Sequence, residues 1–151
     1  MAEPVVARQI APLHQAVPAA SSHAVVVLPR EFDDGGVAWY QDSALDLVKA
    51  LKYEGLDASF AHASEERRWI GEKSQLQYAI DVAIAIFSAG AYDGIKRLLR
   101  RRHADTPVRI RITRRSLNGA WEWYELEGSG EDVAEAIDRL TPGPQNPEIS
   151  E

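Results

Sequence analysis

The stretch from Leu76 to Leu126 decides how this chain folds. It contains Val82-Ala-Ile-Ala-Ile-Phe-Ser-Ala-Gly90, Leu98-Leu-Arg-Arg-Arg102, Pro107-Val-Arg-Ile-Arg-Ile-Thr113 and Ala120-Trp-Glu-Trp-Tyr-Glu-Leu126. In its first half, Leu76, Ile80, Ala83, Ile84, Phe87, Ala91, Ile95, Leu98 and Leu99 recur at three- and four-residue spacing. That spacing predicts one long amphipathic helix over 74–103. In its second half, Val108, Ile110 and Ile112 alternate with Arg109 and Arg111, which predicts a strand with one apolar and one polar face. Asn118-Gly119 then signals a hairpin turn.

Two rules conflict over the hairpin register. A two-residue loop pairs Ile112 with Glu125 and puts Trp121 and Trp123 on the isoleucine face. The hydrophobic pattern prefers Leu126 opposite Ile112, which needs a longer loop and moves both tryptophans beside the arginines. The pattern is the stronger expectation, since a one-residue slip would reverse every side chain.

Outward from this stretch, the chain reads as one domain flanked by tails. Residues 1–22, rich in Ala and Pro, are expected to form a flexible tail, and 141–151 a disordered one. Ala24-Val-Val-Val-Leu28 reads as a buried strand. Asp33-Asp-Gly-Gly36 reads as a turn; it fits no phosphate-loop spacing, and its aspartates would repel phosphate. A helix over 42–54 carries the stripe Ala44, Leu47, Val48 and Leu51 and stops at Gly55. Leu56 to His62 alternates as a second strand. The segment 63–74 is a charged loop in which Trp69-Ile70-Gly71 either plugs the core edge or marks a docking point, the core edge being favoured. The last helix, 130–140, follows Ser129 and carries Val133, Ala136, Ile137 and Leu140. The fold expected over 23–140 is α+β, in the order β-α-β-α-β-β-α. About four strands form its sheet, with helices packed on one face.

Composition narrows the function classes. There is no cysteine, which excludes disulfides and thiolate chemistry and makes a cytoplasmic location the simple expectation. The four histidines, His14, His23, His62 and His103, form no helical metal pair. No run reaches the ~20 apolar residues a spanning helix needs. No catalytic, cofactor-binding or metal-ligating motif is present, so the chain reads as non-enzymatic.

Charge is the one unusual feature. The net charge is -6, yet Lys96 to Arg115 holds nine basic residues and one acid, so this segment carries +8 and the rest of the chain -14. The candidate surface is therefore an arginine ridge: Arg100, Arg101, Arg102, Arg109, Arg111, Arg114 and Arg115, with Trp121 or Trp123 between them. A solvated face with cross-strand pairs to Glu122, Glu125 and Glu127 is the plain reading. A protein partner comes next, and nucleic acid, through phosphate contacts and stacking, comes third. Gly90 and Gly94 are four apart and admit a close backbone neighbour, either the sheet beneath or a second copy in a homodimer.

The run through Val82–Gly90 and Leu98–Arg102, the turn to Val108–Thr113, the second strand and the acid-capped last helix resemble the effector-associated constant component family. The resemblance covers roughly 76–140, and 24–62 only in layout. It implies a small α+β adaptor of multicellular bacteria, especially actinomycetes. Such adaptors are encoded in conflict, or defence, systems beside a protease-like effector and an NTPase partner. The aromatic second strand (Trp121, Trp123, Tyr124) and the charged loop 63–75 depart from the family's pattern. The family supplies no catalytic residues.

Overall fold

A computed structural model describes residues 6–12, 17–18, 21–71, 78–116 and 118–140. The fold is α+β. Its elements are β1 (Val6–Ile10), β2 (Val25–Leu28), β3 (Glu31–Phe32), β4 (Ala38–Gln41), α1 (Ser43–Tyr53), β5 (Ala58–Phe60), β6 (Arg67–Ile70), β7 (Ile80–Ile86), α2 (Ala91–Arg102), β8 (Pro107–Arg115), β9 (Trp121–Ser129) and α3 (Gly130–Leu140). A mixed six-stranded sheet runs β1-β9-β8-β7-β2-β5, and a three-stranded sheet runs β3-β4-β6. The expected class holds, with more strands and a different order.

The largest correction concerns the expected helix 74–103. Its middle, Ile80 to Ile86, is strand β7, and only Ala91–Arg102 is helical. Ile80-Asp-Val-Ala-Ile-Ala-Ile satisfies both periods. At period two, Ile80, Val82, Ile84 and Ile86 enter the helix-covered core, while Ala83 and Ala85 enter a second cluster on the other face. The strand wins because β2 and β8 flank β7 and pair with it along its length. Four β-branched residues in alternation also favour the pleated form. Ser74 and Leu76, the expected start of that helix, lie outside the described residues, as does the expected tail 141–151.

The Ala- and Pro-rich residues 1–22, expected as a flexible tail, contain ordered structure. Within them Val6–Ile10 pairs antiparallel with β9, and Val17 packs on the second cluster. That cluster holds Val26, Leu28, Ala83, Ala85 and Trp123 on the sheet face opposite the helices. Backbone pairing needs no hydrophobic period, so an edge strand of this kind leaves little trace in sequence.

Elsewhere the stripes land where the periodicity puts them. Ala44, Leu47, Val48 and Leu51 of α1 are buried, and Gly55 follows in the left-handed region (φ 90°). Val133, Ala136 and Ile137 of α3 are buried, and the Ser129 hydroxyl accepts a bond from Asp132 N at 3.1 Å as a helix cap. All three helices share one core with the inward residues of β2, β7 and β8. The loop 63–74 was expected to lack strands. It contains β6, because Arg67–Ile70 pairs in parallel with β4.

The hairpin register matches neither sequence rule. Ile112 faces Tyr124 and Ile110 faces Leu126, with Thr113 beside Trp123. The loop closes through Ser116 N to Ala120 O at 2.8 Å, with Gly119 at φ 89°, so it is longer than two residues. The tryptophans do fall on the arginine side, as the hydrophobic pattern expects, two residues away from its pairing.

Candidate interaction surface

The arginines do not form a ridge. Successive residues of β8 point to opposite faces, so Arg114 joins Val108, Ile110 and Ile112 on the helix side. There its Nη1 donates to the Leu140 carbonyl at 2.6 Å, and its guanidinium lies 5.3 Å from the Tyr124 ring centre. Arg109, Arg111 and Arg115 occupy the other face. Arg100, Arg101 and Arg102 end α2. Nine residues expected to act together are therefore dispersed over two faces and a helix end.

Most of these cations are already engaged. Arg109 grips Asp81 through two bonds, 3.1 and 2.7 Å, and Arg111 bridges Asp81 and Glu125 at 3.3 and 3.2 Å. Arg8 of β1 reaches Glu125 from the far side at 2.9 Å. The row Arg109–Asp81–Arg111–Glu125–Arg8 thus alternates in sign across four strands. The bond to Asp81 holds Arg109 above the ordinary guanidinium value. Tyr78 closes the row, donating to Glu127 beneath Arg109, and that bond raises its phenol. The plain reading named Glu125 correctly, and also Glu122, which lies 3.6 Å from Arg114. It missed Asp81, because that residue was placed on a helix.

The cations of α2 staple the helices together. Arg97 donates to the Glu54 carboxylate and carbonyl at 3.4 and 3.0 Å, and Arg101 lies 3.7 Å from the same carboxylate. Arg100 lies 3.3 Å from Glu131 and 3.8 Å from Asp138. Lys96 also bonds Asp138, which lowers that carboxyl and raises the lysine. Acids of α1 and α3 thereby absorb much of the local positive charge.

The tryptophans divide. Trp123 is 3% exposed in the second cluster, whereas Trp121 is half-buried, edge-on to Phe87 at 5.7 Å with Arg115 4.9 Å from its ring centre. Only Trp121 and Arg115 keep the pairing of arginine and aromatic surface that the sequence suggested. Gly90 caps α2, and a Cβ on Gly94 would lie 2.5 Å from Leu56 Cδ1. The close neighbour at Gly94 is therefore the side chain of Leu56, neither the sheet nor a second helix.

A cleft of about 560 Å³ opens along α1, between it, the end of α2 and the start of β7. Lys49, Tyr53, Arg102 and His103 line it, with Asp46 and the apolar Leu47 and Leu98. Tyr53 is 77% exposed, and Arg102 sits 5.7 Å from its ring centre. Burial and the neighbouring Arg102 hold His103 below its usual range. The α1 stripe offered the signal for Tyr53: it is an aromatic lying off the apolar face of an amphipathic helix. Among the described residues no group of three metal-ligating side chains assembles, and no helix is long and apolar enough to cross a membrane.

Compared with protein-family models, curated proteins and solved structures, the chain finds no match in any of the three.

Proposed function

We propose that this protein is a non-catalytic adaptor or regulatory component acting in the cytoplasm of a bacterium. It binds an effector or an NTPase partner in a conflict or signalling system, in the manner of the effector-associated constant components it resembles. The observation that carries the reading is the rim of the α1–α2 cleft, where Tyr53 stands 77% exposed with Arg102 over its ring. An amphipathic aromatic next to an arginine, above an apolar floor, is the residue pairing that anchors protein interfaces. The internal neutralisation of most of the α2 and β8 arginines supports a protein over nucleic acid, since among the described residues no continuous cationic track is left for phosphates.

Co-purification of the tagged chain with the products of its neighbouring genes tests the reading. Recovery of one of them, reduced by Tyr53→Ala with Arg102→Ala, is the expected result. Failure to recover any neighbour product counts against the adaptor role. Nucleic acid stays the second reading, carried by Arg115 against Trp121 on the sheet face opposite the helices. Binding to a single-stranded oligonucleotide that weakens steeply with salt and is lost in Trp121→Ala would favour it.

A further inference from the structure

One arginine stands apart from those of α2 and β8. The side chain of Arg67, on β6, makes no hydrogen bond or ion pair with any described residue, and its Nε is both buried and unbonded. Its guanidinium lies 4.0 Å from the Phe60 ring centre and 5.8 Å from that of Trp69. Phe60 and Trp69 meet edge to face at 5.7 Å, and Trp69 is 36% exposed. Beneath them the Tyr40 hydroxyl lies 2.9 Å from His62 Nδ1, and burial pushes that phenol up to about 12.

Two acids of the neighbouring turns are committed elsewhere. Glu66 accepts from its own turn, at Ala63 N, 3.2 Å away. Asp33 takes the N–H groups of Gly35 and Val37 and the Trp39 indole at 2.9, 3.0 and 3.0 Å. Arg68 points to the other side of the strand and donates to the carbonyls of Glu65 and Arg67. Aromatic faces stabilise a cation but accept no conventional hydrogen bond. A half-desolvated guanidinium supported only by rings thus retains unmet bonding at its Nη groups, which are not sealed off as Nε is.

We propose that Arg67 and Trp69 form an anchoring site for a carboxylate side chain on an acidic segment of a partner protein. Phe60 fixes the guanidinium plane, the Nη groups bond the carboxylate, and the Trp69 ring packs against the neighbouring aliphatic carbons. A planar fork suits a carboxylate, and a charge-assisted bond is strongest where water is partly excluded. A nucleic-acid chain fits less well, because its binding draws on several phosphate contacts along a track, and this cluster offers one unengaged guanidinium, enough for a single carboxylate. The proposal rests on the adaptor reading only for the occupant being a protein.

The test is a titration of the full ¹⁵N-labelled chain, following the Arg67 Nε–H and Trp69 indole N–H resonances. The probes are acetyl-Asp-Glu-Asp-Glu-amide, its Asn-Gln-Asn-Gln counterpart, inorganic phosphate and an oligothymidylate. The acidic peptide is expected to shift both resonances saturably, and the amide peptide to leave them in place. Arg67→Gln should weaken binding about tenfold or more, and Arg67→Lys should retain part of it. No saturable shift, or the same affinity in Arg67→Gln, overturns the site. Saturation by phosphate or oligothymidylate at lower concentration than the peptide overturns the choice of occupant. A failed titration beside successful co-purification removes this site alone; the converse removes the adaptor role and leaves the site.

Discussion

Arg109 and Asp81 face each other across the parallel pair β7–β8 and form a two-bond ion pair at 3.1 and 2.7 Å, with the Asp81 side chain 13% exposed. Asp81 also takes Arg111 at 3.3 Å. One carboxylate therefore compensates two part-buried guanidinium groups. Asp81→Asn is expected to destabilise the fold by about 2 kcal/mol, since it leaves Arg109 without its carboxylate and Arg111 with Glu125 alone. Urea denaturation measures this. Arg109→Gln in the Asp81→Asn background should cost less than in the native chain, and equal costs in the two backgrounds would show that the pair is not coupled.

Gly130 begins α3 against the end of α2, and a Cβ there would collide with the His103 carbonyl, which accepts the Gly130 N–H at 3.0 Å. A backbone carbonyl cannot move aside as a side chain can. Gly130→Ala should therefore lower stability by about 1–3 kcal/mol even though alanine is the better helix former. Gly94→Ala meets only the side chain of half-buried Leu56 and should cost less. Thermal unfolding of the two variants checks the order.

Trp121 and Trp123 should respond differently to truncation. Trp123→Ala empties a site that is 3% exposed, with an expected loss of about 3–5 kcal/mol. Trp121→Ala should cost about 1 kcal/mol, because its ring stays partly in water. Acrylamide quenching of each single-tryptophan variant would show Trp121 as the more accessible. Equal quenching would contradict this division.

His103 titrates below its ordinary value near 6.5 because burial and Arg102 disfavour the cation. The unfolded chain then binds the proton more readily than the folded one. The stability His103 contributes is present above pH 6.5 and is lost as pH falls through its folded value. Denaturation midpoints should fall with acidity in this window and flatten in His103→Gln. A midpoint insensitive to pH in the native chain would refute the linkage. Asp33 and Asp138, both lowered, add to the loss only as pH drops through the carboxylate range.

The sequence by itself determined the elements whose period has one reading. The α1 and α3 stripes, the buried run Val25–Leu28, the cap at Ser129 and the isoleucine face of β8 were all legible there. Each depends on neighbours within a few residues. Only the tertiary structure decided Ile80–Ile86, because Ile and Val alternating with Ala suit a helix face and a two-sided strand alike, and the flanking β2 and β8 settle it. The same holds for β1 and β6, which exist through backbone pairing that side-chain pattern does not record.

The arginines show the same limit in the candidate surface. Their clustering in sequence was plain, as were the cross-strand partners Glu122 and Glu125, but Glu54, Glu131 and Asp138 are distant in sequence and Asp81 was assigned to the wrong element. Whether a charge is available to a partner depends on which opposite charge the fold brings within about 4 Å, and the pattern of a single segment carries no information about that distance.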